Sequence, residues 1–208
     1  MAEEEEGMLV SPDKYLEAGV HIGTKVRTGD MKRFVFKKRK DGIYIIDLKM
    51  IDERLRLAFN LLKNYKPEEV SVVATRTYSG NSALKAKELV GFDVITRRFH
   101  PGTFTNINSQ SFREPKIIVV CDPKGEREAL REAKMMNIPV IALVDTDNTS
   151  EFVDFIIPMN NKGRKSLALF FWLLTREMMV KNGTIKNYSE FKYPLSHFEK
   201  IEIEEEGE

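Results

Sequence analysis

Two short runs decide the fold: KIIVVCD at 116–122 and IPVIALVD at 138–145. Their centres, Ile117–Val120 and Val140–Val144, are apolar at every residue, as parallel strands covered by helices on both faces must be. EVSVVAT at 69–75, FDVITR at 92–97 and VDFIIP at 153–158 supply three more strand-length segments. Helical patterns follow the first, third and fifth segments at about 81–90, 125–136 and 164–180, so the alternation predicts a doubly wound parallel sheet of about five strands.

Upstream, Ser11-Pro12 forms a helix start and Gly19 a stop for the short helix DKYLEA. RFVFKKRKDGIYII at 33–46 has two β-prone stretches around Asp41-Gly42 and reads as a basic hairpin. Asp47 then caps a long amphipathic helix carrying Leu48, Ile51, Leu55, Ala58, Phe59 and Leu62, which ends before Pro67. The expected organisation is an acidic tail at 1–10, one α/β domain at 11–183 and a C-terminal arm with an acidic tail at 184–208.

The longest nearly uninterrupted apolar run, Leu167 to Leu174, is far below the roughly 20 residues of a membrane-spanning helix, and the acidic N-terminus is unlike a secretory signal. A soluble, cytoplasmic protein is expected. Cys121, the single cysteine, lies in an apolar run and reads as a buried hydrophobe. One glutamine beside 31% charged residues hints at a thermophilic source.

The net charge of +1 hides an asymmetry. Four Glu in residues 1–7, and six Glu against one Lys in 199–208, leave about +10 on the rest of the chain. The densest cationic block contains Lys25, Arg27, Lys32, Arg33, Lys37, Lys38, Arg39 and Lys40, opposed only by Asp30, with Phe34 and Phe36 interleaved. A second group, Arg97, Arg98, His100 and Arg113, flanks the long polar connection at 97–114, and a third, Lys162, Arg164 and Lys165, enters the last helix. Three separated basic segments suit a folded RNA, each neutralised phosphate releasing counterions. The alternative is a solvated charged face. Phe99 and Phe104 could stack on bases or pack in the core.

Signals for catalysis are weak. TRTYSGNSALKAK after the first strand lacks the dinucleotide and phosphate-loop glycine patterns, although Arg76 and Ser79 could hold a phosphate. Asp122, Asp145 and Asp147 could form a carboxylate cluster but read more simply as turn and cap residues. His21, His100 and His197 show no ligand spacing. No metal, cofactor or small-molecule substrate is expected, and no enzymatic activity.

Several ordered motifs then carry a specific resemblance: YLEAGVHIG at 15–23, GIYIIDL at 42–48, FHPGTFTN at 99–106, VVCDP at 119–123, NIPVIALVDTDN at 137–148 and DFIIPMNNKGRKSLALFFWLL at 154–174. Over residues 11–180 the chain resembles the family of the second small-subunit ribosomal protein, in the archaeal form related to eukaryotic ribosomal protein SA. The resemblance implies a Rossmann-like, flavodoxin-like α/β sandwich without a catalytic site. It also implies contacts with small-subunit ribosomal RNA and other small-subunit ribosomal proteins near the junction of head and body, and late assembly. RNA contact carries over to the run at 25–40 and to the loop at 101–106, with Thr103 and Asn106. The chain lacks the charged helical hairpin inserted in bacterial relatives, and Gly23 is followed by Thr24 where those usually have His. Contacts made through that insertion do not carry over, nor does the laminin-receptor activity of the animal relative with its long C-terminal extension. The competing readings are an enzyme taking a sugar phosphate or nucleotide at the strand ends, and a protein-only adaptor working through the acidic tails.

Overall fold

The computed structural model describes residues 8–200, so the acidic ends at 1–7 and 201–208 lie outside the described residues. Helix α1 spans Pro12–Ala18, with Pro12 in its first turn and Gly19 left-handed at its end (φ +67°). Strands β1 (Val35–Lys38) and β2 (Tyr44–Ile46) pair antiparallel. Arg39 and Gly42 close the turn between them: Gly42 N–H donates to Arg39 C=O at 3.0 Å and Arg39 N–H to Ile43 C=O at 2.8 Å. Gly42 takes the left-handed position (φ +90°) of a three-residue loop, so Asp41-Gly42 is not a two-residue corner. Arg33 and Phe34, read from sequence as strand, belong to a 3₁₀ turn at Asp30–Phe34, because Phe34 is drawn fully into the core.

Helix α2 (Leu48–Leu62) starts at Asp47, whose carboxylate accepts the Lys49 N–H at 2.9 Å. The main sheet follows: β3 (Val70–Ala74), α3 (Thr77–Val90), β4 (Asp93–Thr96), β5 (Ile117–Val120), α4 (Arg127–Met135), β6 (Val140–Val144), β7 (Phe155–Pro158) and α5 (Arg164–Lys181). All five sheet strands are parallel in the order β4-β3-β5-β6-β7. Every residue of β3, β5 and β6 is buried, whereas β4, at one edge of the sheet, is half-buried throughout.

The chain leaves β3 toward one edge through α3 and leaves β5 toward the other through α4. With right-handed crossovers, α3 and α4 therefore cover opposite faces. The connection from β4 back across β3 to β5 is the long loop at 97–116, which lies on the α4 face: Glu132 of α4 accepts hydrogen bonds from it. On the α3 face, α5 packs against α3, α1 and α6 (Leu195–Glu199), which explains why it is apolar on nearly every side.

Helix α3 begins at Thr77, four residues before its apolar pattern suggests. Gly80 permits this, since a Cβ there would sit 3.1 Å from the Ala74 carbonyl and 3.4 Å from Thr96 Cγ2, so the helix start lies directly on β3 and β4. At the chain ends, Leu9 N–H donates to Asp52, its carbonyl accepts from Arg176, and Trp172 Nε1–H donates to the Tyr193 carbonyl at 2.8 Å. No helix among the described residues is long and apolar enough to cross a membrane.

Candidate nucleic-acid interface

The basic block is fixed to the sheet before it is presented to solvent. Residues 21–24 run beside β2, with Gly23 N–H donating to the Tyr44 carbonyl and Tyr44 N–H to the Thr24 carbonyl, both at 3.0 Å. The segment then crosses to the loop after β6. Thr24 N–H donates to the Thr146 hydroxyl (2.8 Å), Thr28 N–H to the Thr146 carbonyl (2.9 Å) and Thr28 Oγ1–H to the Asn148 carbonyl (2.8 Å). Asp30, the lone acid of the block, accepts the Ser150 N–H and hydroxyl, which hold its carboxyl below the ordinary value.

Lys25, Arg27, Lys32, Arg33, Lys37, Lys38, Arg39 and Lys40 are all exposed on this platform. Among the described residues only Arg39 of the eight has an ion-pair partner, Asp41 at 3.3 Å. Aromatic rings hold four of the others: Arg27 and Lys38 both lie over Tyr44, at 5.2 and 5.1 Å, Arg33 over Phe34 at 4.8 Å, and Lys37 near Phe36 at 5.6 Å. Such contacts orient a cation without neutralising it.

The third group lies between β7 and the first turn of α5. Asn160, after β7, donates its N–H to the Val20 carbonyl and its amide to the Gly19 carbonyl, which ties the approach to α5 to the turn that precedes the basic block. Arg164 and Lys165 are exposed there in the first helical turn. Lys162 is different: its ammonium lies 2.6 Å from Asp147 and 3.2 Å from Asp145. Burial lowers its proton affinity, but the hydrogen bonds and charges of the two carboxylates outweigh that and raise it. Asp145, held up mainly by burial, is partly relieved by the same ammonium. The two aspartates are thus closed over a lysine, and no metal-holding group of His, Cys, Asp or Glu exists among the described residues.

The second group does not stay together. Arg97 (φ +63°) and Arg98 leave the carboxyl end of β4, at the sheet edge opposite β7 and about 19 Å from it across four strand spacings. Arg113 lies at the other end of β4, 3.2 Å from Asp93. Between them the loop is held from beneath: Glu132 accepts from Gly102 N–H (2.5 Å), Phe104 N–H (2.9 Å) and the Thr105 hydroxyl (3.2 Å). Thr103 is buried and donates its hydroxyl to the His100 carbonyl at 2.6 Å, while His100 and Asn106 face solvent. Phe99 and Phe104 are buried against each other with centroids 5.2 Å apart, so the core reading of these rings holds.

At the carboxyl ends of β3 and β5, Arg76 donates through Nε and Nη2 to Asp122 at 2.7 and 2.6 Å, and Ser79 is buried with its hydroxyl on the Arg76 carbonyl. Both side chains are thus engaged by the protein's own atoms at the start of α3. Cys121 is buried and its thiol is pushed well above the ordinary range by that burial. Glu132 and Tyr44, each central to this geometry, carry no sequence signal that separates them from surface residues.

The family profile described as Ribosomal protein S2 matches residues 15–113 and 109–180. The chain belongs to the ribosomal protein S2 family. Small ribosomal subunit protein uS2 of Thermoplasma acidophilum is 45% identical over 195 residues, covering 94% of this chain and 98% of that protein. The same protein of Thermoplasma volcanium is 46% identical over 195 residues with the same coverage. That of Staphylothermus marinus is 45% identical over 192 residues, covering 92% and 87%. These relatives make the chain an archaeal-type S2 protein, as its ordered motifs indicate. The S2 match contains the whole basic block, the 97–114 loop and the start of α5.

Proposed function

We propose that this S2-family chain is a non-catalytic structural constituent of the small ribosomal subunit, acting in the cytoplasm. It binds ribosomal RNA through one surface made of the 25–40 block and the start of α5, and it contacts neighbouring small-subunit proteins. The observation that carries the reading is the set of exposed cations at 25–40, seven of them without a carboxylate partner among the described residues, mounted on a hydrogen-bonded platform. Arg164 and Lys165 support it. Cations in the first turn of a helix oppose the helix dipole, an arrangement that a phosphate at that place would relieve. Arg97, Arg98, His100 and Asn106 form a second, separate patch for RNA or a neighbour. Thr103, Arg113 and Lys162 shape the protein rather than touch RNA, each being buried or paired within it.

The test is binding of the purified chain to small subunits depleted of their own copy, over a salt series. With about six phosphates neutralised, log affinity should fall against log salt with a slope of about −4 to −5. Binding that ignores salt would contradict an RNA contact of this kind.

A further inference from the structure

Counting only the main sheet, the strand order is that of flavodoxin-like folds, and its topological switch falls between β3 and β5. Open sheets of this order take phosphorylated ligands at that crevice, because backbone N–H groups at the strand ends converge there. In this chain the converging donors are already satisfied by one carboxylate. Glu126 Oε1 accepts the Thr75 N–H at 2.8 Å and the Thr75 hydroxyl at 3.1 Å, while Oε2 accepts the Asp122 N–H at 3.0 Å and, at 2.9 Å, the Cys121 N–H, which is shared with the Val73 carbonyl at 3.0 Å.

Glu126 is 1% exposed and has no ion-pair partner among the described residues. An isolated carboxylate buried in this way is normally costly. Here both oxygens are filled by donors, as those of a bound oxyanion would be, which offsets part of that cost. The local chain is folded for the purpose: Glu126 N–H donates to the Asp122 carbonyl at 2.8 Å, which turns the side chain back beneath the start of α4. Asp122 and Arg76 close the outside of the crevice.

We propose that Glu126 is an internal ligand, its carboxylate filling an oxyanion cradle between β3 and β5 in the place a phosphate group would take. The sheet is thereby complete without a small molecule. The cradle's chemical class of ligand is a small carboxylate or a phosphate, admitted only when Glu126 is removed. This inference is independent of the RNA surface.

The test uses the full chain with Glu126→Ala, unfolded thermally at pH 8 in sodium chloride, acetate or phosphate of matched ionic strength. The variant should melt below the wild type and recover saturably, by about 5 °C, in acetate or phosphate. The wild type should show only the general, non-saturating effect of each salt. Equal responses of the two proteins, no response of the variant, or saturable stabilisation of the wild type by phosphate would overturn the proposal. Glu126→Gln is the second variant, since its amide fills the space but sets N–H against N–H. It should be destabilised and indifferent to the anion, and a Gln variant as stable as the wild type would also overturn the proposal. If the alanine variant folds only in acetate or phosphate, that is the expected result in its strongest form; if it folds in no salt, the Gln comparison decides.

Discussion

Thr24 donates its backbone N–H to the hydroxyl of Thr146 at 2.8 Å, joining positions 122 residues apart. Through this contact the basic block shares a rigid base with the loop after β6. Gly23 allows the approach: a Cβ there would lie 2.5 Å from Thr146 Cγ2 and 3.0 Å from the Tyr44 carbonyl. Gly23→Ala should therefore destabilise the fold by about 1–3 kcal/mol through overpacking. Thr146→Val, which strands the Thr24 N–H, should lose about 1–2 kcal/mol. Urea denaturation measures both, and an unchanged midpoint for Gly23→Ala would contradict the close approach.

The 97–114 loop owes its shape to Glu132. Removing that carboxylate with Glu132→Ala leaves the Gly102 and Phe104 N–H groups without acceptors. A loss of about 1–3 kcal/mol is expected, chiefly from the buried Phe104 N–H, with the Gly102 N–H half-buried. Limited proteolysis should then cut within the loop faster than in the wild type, and equal cleavage rates would show that the loop holds itself.

Lys162 is expected to matter for stability and not for RNA. Lys162→Met leaves Asp145 buried without its cation, a change on the order of 3 kcal/mol. With the ammonium gone, the Asp145 carboxyl rises further, so the deficit should shrink as the pH falls and Asp145 protonates. The salt slope of subunit binding should be unchanged, and a shallower slope would return Lys162 to the RNA surface.

Glu126 predicts a pH dependence with a defined sign. Burial pushes its carboxyl up to about 7 from the ordinary 4.5, against the pull of hydrogen bonds from Asp122 and Thr75. The Thr75 hydroxyl can reverse to accept from the protonated acid. Between those values the folded protein holds a proton that the unfolded chain has released. The contribution to stability is fully present below about pH 4.5 and is lost as the pH rises to about 7. Relative to Glu126→Gln, the stability of the wild type should fall by up to about 3 kcal/mol across that window, as measured by urea denaturation. A constant difference would contradict the raised value.

Much of the fold was legible because β3, β5 and β6 are buried on both faces and show it as unbroken apolar runs. Asp47 and the helix it caps were readable for similarly local reasons. The start of α3 was not, since TYSG has no apolar period and becomes helical only through the fit of Gly80 against β3 and β4. The candidate site was legible in composition but not in arrangement. Strand order decides that Lys162–Lys165 follows one edge strand, β7, while Arg97 and Arg98 follow the other, β4, and strand order is not written in any local pattern. Glu126 and Glu132 stand among charged neighbours that suggest a solvated helix face; only the convergence of distant N–H groups shows them as buried acceptors.

The RNA contact proposed for the 25–40 block rests on its exposed cations. Its most direct test compares the wild type with Lys37→Glu, Lys38→Glu, Arg39→Glu and Lys40→Glu combined, in binding to depleted small subunits over a salt series. These four side chains are exposed, so the folded state should survive, as circular dichroism would verify. The account predicts weaker binding for the variant and a salt slope shallower than the wild type's −4 to −5 by about 3 to 4. Identical affinities and slopes would show the block to be a solvated face and would contradict the account.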